Sequence, residues 1–213
     1  MAGIEQKQAG KFITLEGTEG VGKTTNLKFI QQYLCERSIP LIVTREPGGT
    51  PLAEQLRELL LQKREETVDP TAELLMVFAA RAQHLQSVIL PSLNQGTWVL
   101  CDRFTDATFA YQGAGRGLSK DIIITLETMV QKDLRPDLTL ILDIDVETGL
   151  MRASQRAELD RFETEKTDFF ERVRAGYKER AASAPDRYRI IDASQALADV
   201  QVDIKVVLDQ LMA

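Results

Sequence analysis

The sequence contains very little histidine and cysteine, the residues that most often bind zinc; cysteine also carries most thiol redox chemistry. Its 213 residues include one histidine, His84, and two cysteines, Cys35 and Cys101. A histidine-based zinc site needs several imidazoles, and the two cysteines stand far apart with no C-x-x-C pair. A serine–histidine triad would have His84 as its one candidate base. We therefore expect neither zinc nor serine-hydrolase chemistry, and we expect both cysteines to be buried thiols of a reducing compartment.

Positive charge is also scarce, because 26 lysines and arginines face 32 aspartates and glutamates, for a formal net charge of −6. Proteins that bind nucleic acid polymers or anionic membranes present basic surfaces, so neither partner is expected. No apolar run approaches the roughly 18 residues that a membrane-spanning helix needs. Residues 1–10 are polar and lack the layout of a secretion signal, which favours a polar N-terminal extension and a cytoplasmic location.

The pattern along the chain indicates one α/β domain over residues 1–213, since no repeat or Pro/Gly-rich linker divides it. Short apolar runs alternate with longer helical patterns, as in a five-stranded parallel sheet covered by helices on both faces. The predicted strands are 12–16, 41–44, 98–101, 138–143 and 188–191. The predicted helices are 24–37, 52–62, 71–93, 120–134, 146–156, 168–183 and 197–211. Ligands of such sheets bind beyond the carboxyl ends of the strands.

The strongest local signal follows the first predicted strand. Residues 17–25 read G-T-E-G-V-G-K-T-T, which matches the phosphate-binding pattern G-x-x-x-x-G-K-[ST] between a strand and a helix. In such a loop backbone N–H groups bind phosphate oxygens, so Lys23 would reach the β- and γ-phosphates and Thr24 would ligate magnesium. The predicted ATP-binding residues are Gly17, Thr18, Glu19, Gly20, Val21, Gly22, Lys23, Thr24 and Thr25. A nucleoside triphosphate with Mg²⁺ is therefore expected.

This loop alone does not name the reaction. The sequence has no N-K-x-D motif, by which GTPases read guanine, and a motor or AAA-type ATPase would need further modules. A chain of one domain fits a small phosphotransferase better. A regulatory module that uses its nucleotide only as a switch stays open as an alternative.

A second anionic substrate would need its own cations near the strand ends, since phosphoryl transfer depends on positioning and charge neutralisation. Asp102 and Arg103 follow the third predicted strand, where Asp102 either holds magnesium or caps a turn beside a surface arginine. Arg57 belongs to this site or to a solvated helix face. Arg81 and Phe78 share one face of the next helix. Arg81 lies at a core edge or in a pocket, and Phe78 belongs to the core or stacks on a base.

Arginines are frequent in the segment of about residues 150–163, which we name the lid segment. Arg152 and Arg156 are four apart and share a helix face, and Arg161 follows among acidic residues. An exposed, charge-laced helix is one interpretation. The other is a mobile lid that supplies arginines to the transferring phosphoryl group, because the variable positions of the phosphate loop contain no cation. On this interpretation the catalytic residues are Lys23, Arg103, Arg152, Arg156 and Arg161.

Together these motifs resemble the thymidylate kinase family over nearly the whole chain. Besides the phosphate loop they are T-R-E-P-G-G-T at 44–50, F-A-A-R at 78–81, C-D-R-F at 101–104, A-Y-Q-G at 110–113, R-P-D-L-T-L-I-L-D at 135–143 and L-D-R-F-E at 159–163. The resemblance implies the three-layer fold of P-loop nucleoside monophosphate kinases with a small lid. It also implies phosphorylation of dTMP to dTDP by MgATP, in dTTP biosynthesis. A kinase for another nucleoside monophosphate or for a deoxynucleoside is the alternative.

The resemblance further implies roles for single residues. Arg57 and Arg103 would hold the acceptor phosphate, while Arg81 and Gln112 would hydrogen-bond the thymine edge. The implied substrate-binding residues are Glu19, Glu46, Arg57, Phe78, Arg81, Arg103, Thr108 and Gln112, and the implied metal-site residues are Thr24 and Asp102. Family members differ in whether their transition-state cations lie in the phosphate loop or in the lid. This chain resembles the lid type, with Arg156 as the best candidate, and a homodimer packed through helices is implied.

The chain departs from the family pattern at two positions. Val77 stands where the family often places a base-stacking phenylalanine, and Phe78 comes one residue later. Phe104 follows Arg103, where other members often have tyrosine or histidine. A proton-transfer group is therefore not expected at Phe104.

Overall fold

The computed structural model describes residues 9–155, 161–162 and 165–213. Five strands in this part form one sheet in which every neighbouring pair is parallel. They are β1 (Phe12–Glu16), β2 (Leu41–Arg45), β3 (Trp98–Asp102), β4 (Leu138–Asp143) and β5 (Tyr188–Asp192). The predicted five-stranded parallel sheet is confirmed.

The strand order β2-β3-β1-β4-β5 places β1 at the centre of the sheet. Thr14 pairs with Cys101 of β3 on one side and with Thr139 of β4 on the other. Because the strands are parallel, their carboxyl ends lie along one edge. The segments that follow β1, β2 and β3 are therefore close in space although they are far apart in sequence.

Helices cover both faces of the sheet. They are α1 (Lys23–Cys35), α2 (Pro51–Leu61), α3 (Pro70–His84), α4 (Leu90–Asn94), α5 (Thr105–Thr108), α6 (Lys120–Gln131), α7 (Val146–Ser154), α8 (Thr167–Ser183) and α9 (Leu197–Met212). A π-helical segment, Leu85–Ile89, joins α3 to α4, so the long helix predicted over 71–93 is present in three parts. Within the described ranges no helix is long and apolar enough to cross a membrane.

Alternate residues of β1 belong to different cores, as expected of a strand covered on both faces. Leu15 packs in one cluster with Leu34 of α1 and Ile204 of α9. Phe12 belongs to the cluster on the opposite face, where its ring lies 4.9 Å from that of Phe104. The three-layer architecture is therefore confirmed.

The helical structure of residues 105–115 was not predicted. Here α5 continues into a second π-helical segment, Phe109–Gly115. Threonine and glycine have low helix propensity, so the local signal is weak. Packing decides the conformation, because Phe109 is buried beside Leu74 and Tyr111 beside Phe169.

The expectation that both cysteines are buried holds for Cys101 and is wrong for Cys35, which is exposed. Cys35 is the last residue of α1, and Leu34 before it points into the core. One step along a helix rotates the side chain by about 100°, which turns Cys35 toward solvent.

Candidate active site

A cleft of about 280 Å³ opens where β1 and β3 end. Its walls come from the phosphate loop, α2, α3 and the segment 102–112. The sequence-predicted residues that line it are Glu19, Lys23, Thr24, Glu46, Arg57, Arg81, Asp102, Arg103, Thr108 and Gln112. The fold therefore brings most of the predicted site into one place.

The phosphate loop, residues 17–22, packs directly on the backbone of α7. Gly20 has a φ of 71°, and a Cβ atom there would lie 1.9 Å from the carbonyl oxygen of Gly149. Glycine alone satisfies both the left-handed backbone and this close approach. The loop that would bind phosphate is thus joined to the helix that leads into the lid segment.

The N-terminus of α1 faces the phosphate loop. α1 begins at Lys23, and its N-cap residue, Gly22, has no side chain that could cap the first N–H groups, which leaves these groups available to phosphate oxygens. The Lys23 Nζ donates to the carbonyl oxygens of Gly17 and Thr18, at 3.2 and 2.9 Å. The side chain of Lys23 therefore lies over the loop, held by two of its carbonyl oxygens.

Glu19 and Arg103 form an ion pair inside the cleft. Nη2 of Arg103 donates to Oε2 of Glu19 at 2.6 Å, and the Tyr111 hydroxyl donates to Oε1 at 2.8 Å. Burial by itself would raise the pKa of Glu19, but the charges of Arg103 and Lys23 outweigh it and hold that pKa below its ordinary value. Glu19 therefore carries a negative charge that orients two cations of the cleft.

Behind Arg103 lies a buried chain of hydrogen bonds that the sequence did not predict. Nη1 of Arg103 donates to the Tyr177 hydroxyl at 3.0 Å, and that hydroxyl donates to Oε2 of Glu16 at 2.8 Å. Burial, and then the nearby charge of Asp106, raise the pKa of Glu16 to about 8. The available signal was a glutamate ending an otherwise uncharged buried strand, directly before the phosphate loop.

Glu46 anchors the second wall of the cleft. Its Oε2 accepts from Nε of Arg81 at 2.6 Å, and its Oε1 lies 3.0 Å from Nδ1 of His84. Nε2 of His84 lies 2.7 Å from the hydroxyl of Thr44. A Cβ atom on Gly49 would lie 2.4 Å from Nε2 of His84, so the second glycine of the T-R-E-P-G-G motif makes room for the ring. His84 was not predicted to belong to the site, and the structure gives it a supporting position.

Arg81 is buried and uses two of its three nitrogens within the protein. Nη2 donates to the Thr108 hydroxyl at 3.0 Å, and Nη1 is buried with no hydrogen-bond partner among the described residues. Its Cζ lies 4.9 Å from the ring of Phe78, which packs in a core cluster with Leu74. Val77 rather than Phe78 lines the cleft. Phe78 thus lies beneath Arg81 and packs in the core. This position agrees with the interpretation of Phe78 as a core residue.

Gln112 and Arg57 complete the walls. Gln112 is buried, and its Nε2 donates to Oε1 of Glu73 at 2.8 Å. Nη1 of Arg57 donates to the carbonyl oxygen of Pro47 at 3.0 Å. Burial, followed by the charge of Arg45, lowers the pKa of Arg57 from its ordinary value, but an arginine stays charged at neutral pH.

Asp102 and Thr24 were predicted to hold magnesium. Oδ1 of Asp102 is buried and has no hydrogen-bond partner among the described residues, while Thr24 is exposed at the same cleft. No group of three or more acidic, histidine or cysteine side chains gathers into a metal cage within the described ranges. Magnesium commonly uses one or two protein oxygens together with phosphates and water. The orphaned oxygen of Asp102 and the hydroxyl of Thr24 fit that donor set.

The three predicted lid arginines are placed differently. Arg161 donates from Nε to the carbonyl oxygen of Leu60 at 2.8 Å and from Nη2 to Oε2 of Glu73 at 2.7 Å. Nη1 of Arg152 lies 3.3 Å from the carbonyl oxygen of Ala193. Arg156 lies outside the described residues.

The chain is similar in sequence to thymidylate kinases from several bacteria. A model of the thymidylate kinase family matches residues 15–204. A thymidylate kinase from Teredinibacter turnerae is 65% identical over 203 residues, which cover 95% of this chain and 99% of the relative. One from Ectopseudomonas mendocina is 59% identical over 203 residues, with coverages of 95% and 97%.

A solved structure extends the similarity to three dimensions. The crystal structure of thymidylate kinase from Ehrlichia chaffeensis has a TM-score of 0.77 and 35% sequence identity, and the match covers 94% of this chain and 99% of that one. The P-loop architecture, the cleft and these relationships agree, and the chain belongs to the thymidylate kinase family.

Proposed function

We propose that this member of the family transfers the γ-phosphoryl group of ATP to dTMP, which gives dTDP and ADP as a step toward dTTP. One observation carries the proposal most directly. The phosphate loop with Lys23 and the guanidinium groups of Arg57 and Arg103 line the same cleft. A loop that would bind a triphosphate and cations that would bind a second phosphate are thus side by side, as direct transfer between two anions would require.

The acceptor phosphate would lie between Arg57 and Arg103. In the structure Arg57 donates to the carbonyl oxygen of Pro47 and Arg103 to the carboxylate of Glu19. A phosphate offers stronger, charge-assisted hydrogen bonds than a carbonyl oxygen. Glu19 would then be free to accept from a sugar hydroxyl, while Glu46 would lie near the acceptor phosphate.

The reaction needs charge neutralisation more than a base. The second pKa of a phosphate monoester is about 6, so the attacking oxygen is already anionic at neutral pH. The main obstacle is repulsion between two anions, which Lys23 and Arg103 would offset in a buried cleft. This fits the presence of Phe104 after Arg103, because that position then needs no proton-transfer group.

Thr24 and Asp102 would hold Mg²⁺ together with the phosphates. The metal would supply positive charge that neutralises the phosphates. The part of this chain is to aim the Thr24 hydroxyl and the orphaned Asp102 oxygen into the cleft. Removal of divalent cations with EDTA is expected to abolish turnover, and added Mg²⁺ is expected to restore it.

We propose that the lid segment supplies the remaining cations, with Arg156 as the main one and Arg152 and Arg161 in support. Closure over the cleft would also exclude water and so limit ATP hydrolysis. Phe162 already lines the cleft and lies edge-on to Tyr111, with ring centroids 5.9 Å apart. Phe162 of the lid segment is therefore in contact with the cleft where the acceptor would bind.

We also propose a homodimer and a cytoplasmic location. α3 and α6 pack side by side. They expose Leu75, Ile122 and Met129 by 52%, 47% and 66%, an apolar surface that a second copy would cover. Sedimentation of the wild type and of Leu75→Glu tests the dimer.

The cytoplasmic location is proposed from the cysteines. Both cysteines are free thiols, which suits a reducing compartment.

The decisive experiment measures ADP release with dTMP, other nucleoside monophosphates and deoxynucleosides as acceptors. We expect dTMP to be preferred and Lys23→Ala to lower kcat by at least about 100-fold. Preference for another acceptor would identify a different kinase. ATP binding without acceptor-dependent ADP release would identify a switch module. Exposed Lys28→Ala is the control, because it removes a lysine of α1 outside the cleft.

A further inference from the structure

Glu73 is a charged residue that the proposed mechanism does not use. It lies in the first turn of α3, is fully buried and does not line the cleft. Its Oε1 accepts from Nε2 of Gln112 at 2.8 Å and lies 3.3 Å from Nε of Arg116. Its Oε2 accepts from Nη2 of Arg161 at 2.7 Å. Two guanidinium groups therefore pair with this buried carboxylate, and the same carboxylate holds the amide of Gln112.

This contact determines which way the Gln112 amide points. A carboxylate that pairs with two guanidinium groups accepts hydrogen bonds, so Gln112 turns its NH₂ group toward Glu73. The carbonyl Oε1 of Gln112 then points the other way. It has no hydrogen-bond partner among the described residues, and Gln112 lines the cleft. The orientation therefore follows from the chemistry of the partner, and the cleft receives a hydrogen-bond acceptor.

The same wall also offers a hydrogen-bond donor. Arg81 is 1% exposed, and its Nη1 has no partner within the described part of the chain. Its Nη2 is bound to Thr108, which lies one helical turn before Gln112. A donor on Arg81 and an acceptor on Gln112 thus stand on neighbouring parts of one wall.

The donor on Arg81 and the acceptor on Gln112 are complementary to thymine and not to cytosine. Thymine presents the O4 acceptor beside the N3–H donor, whereas cytosine presents the N4 amino donor beside an N3 acceptor. With the amide held by Glu73, thymine satisfies both protein groups. Cytosine would face donor with donor and acceptor with acceptor, which leaves buried polar groups unpaired.

We propose that Glu73 is a positioning residue that selects thymine over cytosine by holding the Gln112 amide with its carbonyl toward the base. The proposal rests on the proposed function, since it places the base of the acceptor nucleotide against Arg81 and Gln112. Glu73 touches neither substrate nor the reacting atoms and acts through Gln112.

The test compares dTMP with dCMP in the wild type and in Glu73→Gln. A neutral amide has one acceptor oxygen, for which Arg116 and Arg161 compete, so its NH₂ group would face Gln112 and turn that amide around. We expect the ratio of kcat/KM for dTMP to that for dCMP to fall at least about tenfold. The inhibition constant of dCMP against dTMP should fall relative to the KM of dTMP, a readout that needs no turnover of dCMP.

Glu127→Gln is the matched control, because Glu127 is also buried and pairs with an arginine, Arg135, away from the cleft. Its ratio should equal that of the wild type. A double-mutant cycle with Gln112→Leu adds a second readout. In the Gln112→Leu background, Glu73→Gln should no longer change the ratio, because the amide through which it acts is gone.

An equal loss of activity toward both nucleotides in Glu73→Gln would overturn the proposal and leave Glu73 a structural support. Should Glu73→Gln fail to fold, Glu73→Asp keeps the charge but withdraws the oxygens by one methylene group, and an unchanged ratio there would equally refute it. Affinities for dTMP and dCMP, measured by calorimetry, distinguish a failure of the Glu73 proposal from a failure of the proposed function. A wild type that binds dTMP without transferring phosphate contradicts the function alone, and the affinity ratio still tests Glu73. A wild type that binds neither nucleotide contradicts both.

Discussion

Arg103 holds Glu19 across 2.6 Å although the two residues lie on different strand-to-helix connections. Arg103 adopts a φ of 66°, which is uncommon for a residue with a side chain. That backbone turn directs its guanidinium toward the phosphate loop, where it also meets the Tyr177 hydroxyl. Arg103, which is proposed to bind the acceptor phosphate, is thus oriented by Glu19 of the phosphate loop, which is proposed to bind ATP.

Arg103→Ala is expected to raise the KM for dTMP about 10- to 100-fold, because charge-assisted hydrogen bonds to a phosphate are lost. The KM for ATP should change much less. Steady-state kinetics with each substrate varied in turn measures both values. Arg37→Ala removes an exposed arginine after α1 and should leave both unchanged. An unaltered KM for dTMP would remove Arg103 from the acceptor site.

Arg156→Ala is expected to lower kcat about 10³-fold while dTMP affinity stays close to that of the wild type. The reason is that an arginine that meets charge mainly in the transition state contributes little to ground-state binding. Single-turnover kinetics together with dTMP titration separates the two quantities. A comparable loss in dTMP affinity would contradict the lid assignment, and Arg189→Ala at the far strand β5 is the control.

Gly20→Ala is expected to destabilise the protein by more than the roughly 1–2 kcal/mol of a left-handed backbone, because its Cβ would also collide with Gly149. Gly117→Ala is a matched control, since Gly117 has a φ of 79° but a Cβ atom there would have no described atom within 4 Å. Urea unfolding of both variants isolates the contribution of the collision. Equal losses would show that the phosphate loop does not depend on close packing against α7.

Glu16 predicts a pH dependence of stability. Its pKa is about 8 in the folded chain against 4.5 as the ordinary value, so the folded state holds the extra proton between these limits. The free energy of unfolding should therefore decrease as pH rises from about 5 to 8, and the contribution is lost above the folded pKa. Asp106, Arg103 and Tyr177 are the groups that face it. Urea unfolding at the two pH values measures this, and the free energy of unfolding should decrease less in Glu16→Gln than in the wild type.

Glu127→Gln, another buried glutamate, should keep the pH dependence of the wild type. An identical decrease in Glu16→Gln would show that other groups cause it.

The parts of the site that sequence reasoning found are those whose signal is local. The phosphate loop is a contiguous pattern between a strand and a helix, and Asp102 and Arg103 stand at a strand end, where parallel sheets bind ligands. The buried partners carry no such signal. Glu73 and His84 lie on α3 at positions that a helical pattern predicts to be buried, and a pattern does not reveal what a buried polar group contacts.

By itself the sequence determined the α/β class, the strand positions and the phosphate loop, because hydrophobic periodicity and glycine spacing act over a few residues. Only the tertiary structure decided the helical conformation of residues 105–115, the burial of Glu16 and the contact between Glu73 and Gln112. Each of these depends on groups that are distant in the chain and are brought together when the sheet is covered. Their energies come from desolvation and from hydrogen bonds to those groups, which are quantities that no short stretch of sequence contains.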